Sequence, residues 1–463
     1  MEIKLKIKSV FSVRRKGIPG WPYINYDYNK ESKRILGQLE SKFPNIEFKP
    51  EYYYSEEKAK EGFADNKKYD GIVIFNLAHG TGVPKAFLER EEAGVIVDGL
   101  FGGSGDSIRS HHKVKKEKLP IITVLSSDFQ DVVDAIELLK VKKRISNSKV
   151  LVFKNFAPIP KEKEELIKES VGTGSTWKRF LQGRKGMENK LKLLKDRYGV
   201  NVIVGTKEDL LSYYNATDKN KAIKIAENWI NGARNVVEPT KNEILKSAKM
   251  YLALKAAVEE HKVDAISIDC IMMYFTGQLT AYPCLSHFQM NNDGFVGVCE
   301  SDLDAILTQL AIKYITGRPG FVSDPVIDTA SNQIIYAHCM ASNKPFGSKG
   351  PSVPYIIRSH AEDNKGASLQ VIMPPGYSVT TIKFDILTNS MSIHNGKAVG
   401  NVHSPLACRT KLAVEVPDVQ LLLDNWDTDI FSWHKVTVYG NYRKKFINLA
   451  KLYRMNIFEE DKK

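Results

Sequence analysis

Along the chain, short apolar runs alternate with longer stretches in which apolar residues recur at helical spacing. The opening MEIKLKIKSVFSV alternates charged and apolar positions and predicts a strand over Ile3–Val13, followed by a helix over Lys30–Lys42. Tyr69–Asn76, Gly94–Val97 and Leu119–Leu125 read as buried strands, and Phe129–Lys140 as a helix. Apolar runs of about four to eight residues between amphipathic helices are the pattern of a parallel sheet covered on both faces. A second series of the same kind starts at Lys149. It has strands at Val150–Phe153 and Asn201–Gly205, with helical stretches between them up to Leu194. Helices Lys207–Tyr213, Lys219–Asn231 and Lys241–His261 follow, then the strand Ala265–Asp269.

From about Ser331 the texture changes. Gly, Pro, Ser and Thr become frequent, and short β-rich runs appear at Gln333–His338, Ser368–Met373, Ser378–Asp385, Lys411–Val416 and Val436–Tyr439, before a closing helix Lys444–Tyr453. The expected fold class is therefore α/β. Two doubly wound α/β domains, over 1–148 and 149–330, precede a β-rich, antiparallel or barrel-like C-terminal domain over 331–463. A chain of 463 residues agrees with about three domains.

Composition narrows the class without naming a function. Hydrophobic residues at 43% and charged residues at 26% are ordinary for a globular protein, which excludes a disordered chain. The five cysteines (Cys270, Cys284, Cys299, Cys339, Cys408) show no C-x-x-C spacing, so neither a disulfide framework nor a zinc ribbon is indicated and a reducing, cytoplasmic location is expected. The longest apolar runs, such as Gly71–Ala78, fall well short of the about 20 residues a bilayer requires, so no membrane partner is expected. The N-terminus lacks the apolar core of a secretion signal, although a signal already removed would leave no trace. The net charge of +13 raises nucleic acid as a partner. Lysines interleaved with glutamates, as in Lys161–Glu169 and Lys113–Lys118, instead read as solvated helix faces, and no nucleic-acid motif accompanies them. Anionic substrates or simple solubility account equally for the sign.

The densest cluster of chemically capable residues lies between Asp269 and His338. Asp269 ends a predicted strand, where open α/β sheets place their ligands. Glu300 and Asp302 precede a stretch with Leu303, Ile306, Leu307, Leu310 and Tyr314 at helical spacing, with Ser301 and Asp304 resembling a capping box and Gly317 the stop. The two acids either cap that helix and offset its dipole, or hold a hard divalent ion and move a proton; spacing alone leaves both open. The cysteines read as small packing residues. The glycine-rich Gly99–Ser107 lacks the G-K-[ST] ending of a phosphate-binding loop, and it and His79–Gly82 read as tight turns that could still reach a ligand.

Three motifs carry a resemblance. The stretch CESDLDAILTQLAIKYITGRPGFVSDP (299–325) resembles the segment of fucose/arabinose isomerase-superfamily proteins in which an acidic E-x-D opens a helix ending at T-G before an F-x-D turn. SWHKVTVYGNYR (432–443) is similar to that family's H-H-V-x-V-Y-G-D element, with CRTK (408–411) just upstream. The similarity covers most of 265–463 and, before that, the architecture alone. The resemblance implies a metal-dependent aldose–ketose sugar isomerase working through an ene-diol, in a closed homo-oligomer, trimer or hexamer, with loops around His79 and Ser104 contributed by a neighbour. It places Asp302 on the catalytic and metal-binding aspartate and His434 on the metal-binding histidine, with Mn²⁺ the expected ion. The family's other acid corresponds to Met273, so Asp269 or Glu300 is expected to replace it, Glu300 as base and Asp269 as ligand or partner acid. The alternative is a sugar-binding protein that keeps the fold without the chemistry. Lys435 stands where a second histidine is frequent. His338, His360 and Arg358 are candidates for lining the sugar site, against structural roles as a satisfied histidine or a surface ion pair.

Overall fold

A computed structural model describes residues 4–90, 92–154, 161–171 and 186–463. The start of the expected first strand at Ile3, and residues 155–160 and 172–185 of the stretch expected to be helical up to Leu194, lie outside the described residues. The chain forms two compact units: Met1–Ser146 with Lys444–Asn456, and Asn147–Arg443 with Ile457–Lys463.

The first unit is built on five parallel strands, β1 (Leu5–Ser12), β2 (Ile46–Tyr53), β3 (Gly71–Asn76), β4 (Gly94–Asp98) and β5 (Ile121–Val124), in the order β2-β1-β3-β4-β5. The central β3 is buried along its whole length, which is why its sequence is a continuous apolar run. The unanticipated β2 is an edge strand; Ile46 and Phe48 face inward, most of the other side chains are at least partly exposed, and its edge position accommodates Pro50. In this order the chain leaves β1 towards one side of the sheet and β3 towards the other, so a crevice opens between their carboxyl ends.

The second unit repeats the device and adds a barrel. Strands β6 (Lys149–Phe153) and β7 (Asn201–Gly205) join β9 (Ala265–Ile268) and β10 (Val296–Cys299) in a parallel sheet ordered β10-β9-β6-β7. Read from the other edge this is the same order, and its switch lies between β6 and β9. The helix Lys241–His261, found with the expected bounds, is capped by Thr240 and packs Ala248, Leu254 and Ala257 into the core. A small sheet pairs β8 (Asn235–Val236) with β13 (Tyr355–Arg358) and β14 (Ser368–Val371).

The remaining strands are β11 (Phe321–Asp328), β12 (Gln333–His338), β15 (Ser378–Asp385), β16 (Ser390–Asn401), β17 (Thr410–Glu415), β18 (Lys435–Tyr439) and β19 (Asn456–Glu459). Six of them run antiparallel in the order β15-β18-β11-β12-β17-β16, and β16 returns to pair with β15, so the barrel closes and removes its edges; β19 lies beside β16. The expected mixture of parallel-sheet α/β architecture with a C-terminal antiparallel barrel is present.

Candidate functional site

The site grows from the end of β10. After Cys299 the chain places Glu300 at φ 65° and Ser301 at φ 56°, two consecutive left-handed residues that are not glycine. Each such residue costs on the order of 1 kcal/mol or more and persists only where its surroundings fix it. Here the Ser301 amide donates to Ser267 Oγ (3.0 Å), whose hydroxyl donates to the Val298 carbonyl (2.6 Å). The kink delivers Asp302 to the start of the helix Leu303–Thr316, where its Oδ1 accepts from the Ala305 amide (3.0 Å). The cap is therefore Asp302 in place of the expected Ser301–Asp304 box. Asp304 is buried instead, accepting from Lys190 Nζ (2.5 Å) and the Ile386 amide (3.0 Å). Gly317, at φ 67°, ends the helix as expected.

The barrel supplies the facing groups. Strand β11 lies between β12 and β18, and the pairing Ser323–Lys435, continued by one residue, sets Asp324 opposite His434. His338 ends β12 on the other flank. Nε2 of His434 consequently lies 3.6 Å from Glu300 Oε2 and 3.5 Å from Asp324 Oδ1, while its Nδ1 is 2.9 Å from Asp302 Oδ2. That same Asp302 oxygen accepts from Lys383 Nζ of β15 at 2.9 Å. Asp302 thus has both oxygens engaged and stands behind the imidazole. An Nδ1–H donated to it leaves the Nε2 lone pair facing Glu300 and Asp324.

His338 has the opposite arrangement. Its Nδ1 accepts from the Cys339 amide at 2.9 Å, and its buried Nε2 has no hydrogen-bond partner among the described residues, the nearest carboxylate oxygen there being Glu300 Oε1 at 3.6 Å. Burial opposes a charge on this ring, yet the neighbouring Glu300 and Asp324 carboxylates lift its pKa to about 9. A cationic ring would turn Nδ1–H against the Cys339 N–H, so the geometry favours the neutral ring with Nε2–H pointing into the site.

The carboxylates are pushed apart. Burial works against the charge on Asp302, but Lys383 and His434 outweigh it and hold the acid well below the ordinary range. Glu300, also opposed by burial, is kept below its usual value by His434 and His338. Burial prevails at Asp324, whose pKa is raised. One carboxylate disposed to stay ionised and one disposed to hold a proton, around a single imidazole, are the elements of acid–base chemistry.

The donor set also fits a divalent metal. Glu300, His338 and His434 each bring a ligand-capable atom within 4.8 Å of the others. The tautomers leave Glu300 and His434 as lone-pair donors, and Asp324, beside His434 Nε2, is the third. Two carboxylates and one imidazole suit Mn²⁺ or Mg²⁺ better than soft ions.

A cavity of about 290 Å³ opens beside Glu300, lined by Lys154, Lys190, Asp269, Asp302 and Asp304 among others. It sits at the carboxyl edge of the parallel sheet, with Lys154 after β6 and Asp269 after β9 paired at 3.0 Å across the switch in strand order.

The other sequence candidates are distributed as follows. Asp269 is buried in that ion pair, outside the group formed by Glu300, His338 and His434. Met273 is 1% exposed and packs in the core, so two carboxylates meet His434 without help from position 273. Arg358 forks onto Glu238 (2.6 and 2.9 Å). His360 faces Asp363 at 3.4 Å and the Tyr282 ring at 5.1 Å. Lys435 points into the barrel, bonded to Glu460 and Ser392. His79, in the first unit, lies 3.7 Å from Asp106, and Ser104 donates to Asp98 (2.9 Å). Asp324 and Lys383 escaped the sequence reading. Asp324 was visible in F-V-S-D-P once 321–328 is recognised as a strand, and Lys383 is a solitary lysine inside a buried strand.

No family model matches the chain. It is similar to the sulfoquinovose isomerases of Priestia aryabhattai and Priestia megaterium (strain ATCC 12872 / QMB1551), each 24% identical over 208 residues covering 37% of this chain and 46% of theirs. The match spans less than half the length of these curated relatives, and it establishes a distant relationship to a sugar isomerase.

Proposed function

We propose that the chain is a metal-dependent aldose–ketose isomerase of the fucose/arabinose isomerase kind, transferring a proton between adjacent sugar carbons through an ene-diol. The observation that carries this reading is the pair Glu300 and Asp324, 3.6 and 3.5 Å from one nitrogen of His434, with opposed pKa shifts. The similarity to sulfoquinovose isomerases supports the same class.

Glu300, Asp324 and His434 would hold the ion, which supplies Lewis-acid polarisation of the sugar oxygens when bound. Each carboxylate has a second oxygen for proton work. Glu300, held ionised, takes the proton from the carbon beside the carbonyl. Asp324 delivers one to the neighbouring carbon. His338 donates its Nε2–H to a substrate oxygen and steadies the developing negative charge. The charged pairs Lys154–Asp269 and Lys190–Asp304 offer donors and acceptors to sugar hydroxyls in the adjoining cavity. The reading includes a cytoplasmic setting and a closed homo-oligomer, trimer or hexamer.

The test is metal analysis of the purified protein followed by an aldose panel with Mn²⁺, read for ketose. Ketose formation that stops on chelation supports the proposal. Binding of a sugar without ketose from any aldose would favour a sugar-binding protein instead.

A further inference from the structure

The first unit has its own crevice, at the carboxyl end of the parallel sheet where the strand order reverses around β1. A cavity of about 750 Å³ lies on the β1–β2 side of that end, bounded by the loop after β1, the first turns of the helix Tyr28–Lys42 and Tyr52 at the end of β2. A smaller one, of about 270 Å³, shares Tyr26 with it and runs along the ends of β3, β4 and β5.

The charge in the larger cavity is one-sided. Arg14, Arg15, Lys16, Lys30 and Lys33 all line it, against a single carboxylate, Asp27. That carboxylate is engaged in capping, its Oδ1 accepting from the Lys30 amide at 2.9 Å. Lys16, Lys30 and Lys33 form no ion pair among the described residues. Arg14 spends its guanidinium on the Pro19 and His79 carbonyls, and Arg15 lies over the Tyr54 ring at 3.9 Å. Some exposed lysines of this unit are paired, Lys58 with Glu61 and Lys85 with Glu56. Unpaired cations that converge on one cavity repel one another and gain by sharing an anion. Tyrosine faces stand beside them, with Tyr23 at 63% and Tyr52 at 41% exposure.

We propose that this crevice binds a phosphate-bearing small molecule, its phosphate held by Lys16, Lys30 and Lys33 and its ring laid against the tyrosines. The shared chemistry is a phosphomonoester attached to a flat or ring-shaped body; a sugar phosphate and a nucleotide both satisfy it.

The whole chain is titrated calorimetrically with inorganic phosphate, glucose 6-phosphate, AMP and a single-stranded oligonucleotide. One of the two phosphomonoesters should bind at one site, more tightly than inorganic phosphate, and the stronger one identifies the body. Lys30→Glu with Lys33→Glu should weaken it by at least about tenfold, since each lost contact is a charge-assisted one. The control Lys219→Glu, on an exposed helix of the other unit, should leave it unchanged. Thermal melts confirm that the variants fold. Three results overturn the proposal: phosphomonoesters no tighter than inorganic phosphate, equal weakening by the control, or preference for the oligonucleotide, which would mark a polyanion surface. Mn²⁺ binding measured in parallel reports on the other unit, so failure here is distinguishable from failure of the isomerase reading.

Discussion

Asp302 Oδ2 lies 2.9 Å from His434 Nδ1, and no other described side chain orients that imidazole from behind. The acid's role is positional: it selects the tautomer that presents the Nε2 lone pair to Glu300 and Asp324. Asp302→Asn can still cap the helix but loses the anion. We expect Mn²⁺ affinity to fall by about 10–100-fold, the usual effect of removing a carboxylate behind a ligand histidine. Calorimetry checks this, and ¹⁵N chemical shifts of the metal-free His434 ring should show proton redistribution between its nitrogens. Unchanged shifts and affinity would leave Asp302 as a helix cap alone.

Lys383 is 1% exposed and forms an ion pair with Asp302. Removing one member of a buried pair strands the other charge, at about 3–5 kcal/mol. Lys383→Met should therefore destabilise the second unit strongly. Combined with Asp302→Asn, it should cost clearly less than the two single changes added together. Strict additivity in urea melts would show that the pair is not coupled.

Stability at acid pH should depend on Glu460, buried in the barrel against Lys435 and His394. Burial opposes its charge, but the Lys435 ammonium and the hydrogen bond with His394 bring its pKa down to about 2 from an ordinary value of 4.5. Lys435 is itself lowered, because its burial is complete and Lys383 adds repulsion, so it gains less from the pair than Glu460 does. A carboxylate with a depressed folded pKa contributes stability that is full above pH 4.5 and is lost as pH falls towards 2. Glu460→Gln should lower the melting temperature at pH 7 and flatten its dependence across that window. A variant curve parallel to the parent's would contradict this.

The first unit exposes Leu100 (44%), Phe101 (79%) and Ile108 (60%) within nine residues of chain, an apolar patch that self-association would cover. Light scattering at micromolar concentration should give a trimer or hexamer, and Phe101→Asp should shift it towards smaller species. A parent that is monomeric under those conditions removes the oligomer from the account.

Much of this architecture could be read from the letters, because apolar runs and helical spacing survive in a parallel sheet. The run at β3 and the helix at 241–261 are examples. Strands β2 and β11 were missed because charge and proline break the apolar pattern of each. The first, an exposed edge, dilutes its apolar positions with charge, and the second carries a proline and two acids inside a barrel strand. The site was half legible. Glu300, Asp302, His338 and His434 all meet, but E-x-D gives no sign that a left-handed kink sends Glu300 to one side of His434 and Asp302 to the other. Asp324 could not be placed without the antiparallel register that sets β11 beside β18, since only that pairing brings residues 110 apart in sequence face to face.

The central claim is that Glu300 and Asp324 move a proton between adjacent sugar carbons. The most direct measurement is NMR of the aldose panel incubated in D₂O with Mn²⁺ and the parent protein, Glu300→Gln or Asp324→Asn. The account predicts ketose formation by the parent, with solvent deuterium entering the carbon that accepts the proton, because Asp324 delivers an exchangeable one. Turnover should fall by about 10²-fold or more in each variant, the scale of a lost general acid or base. Ketose formed at the parent's rate by either variant would contradict it.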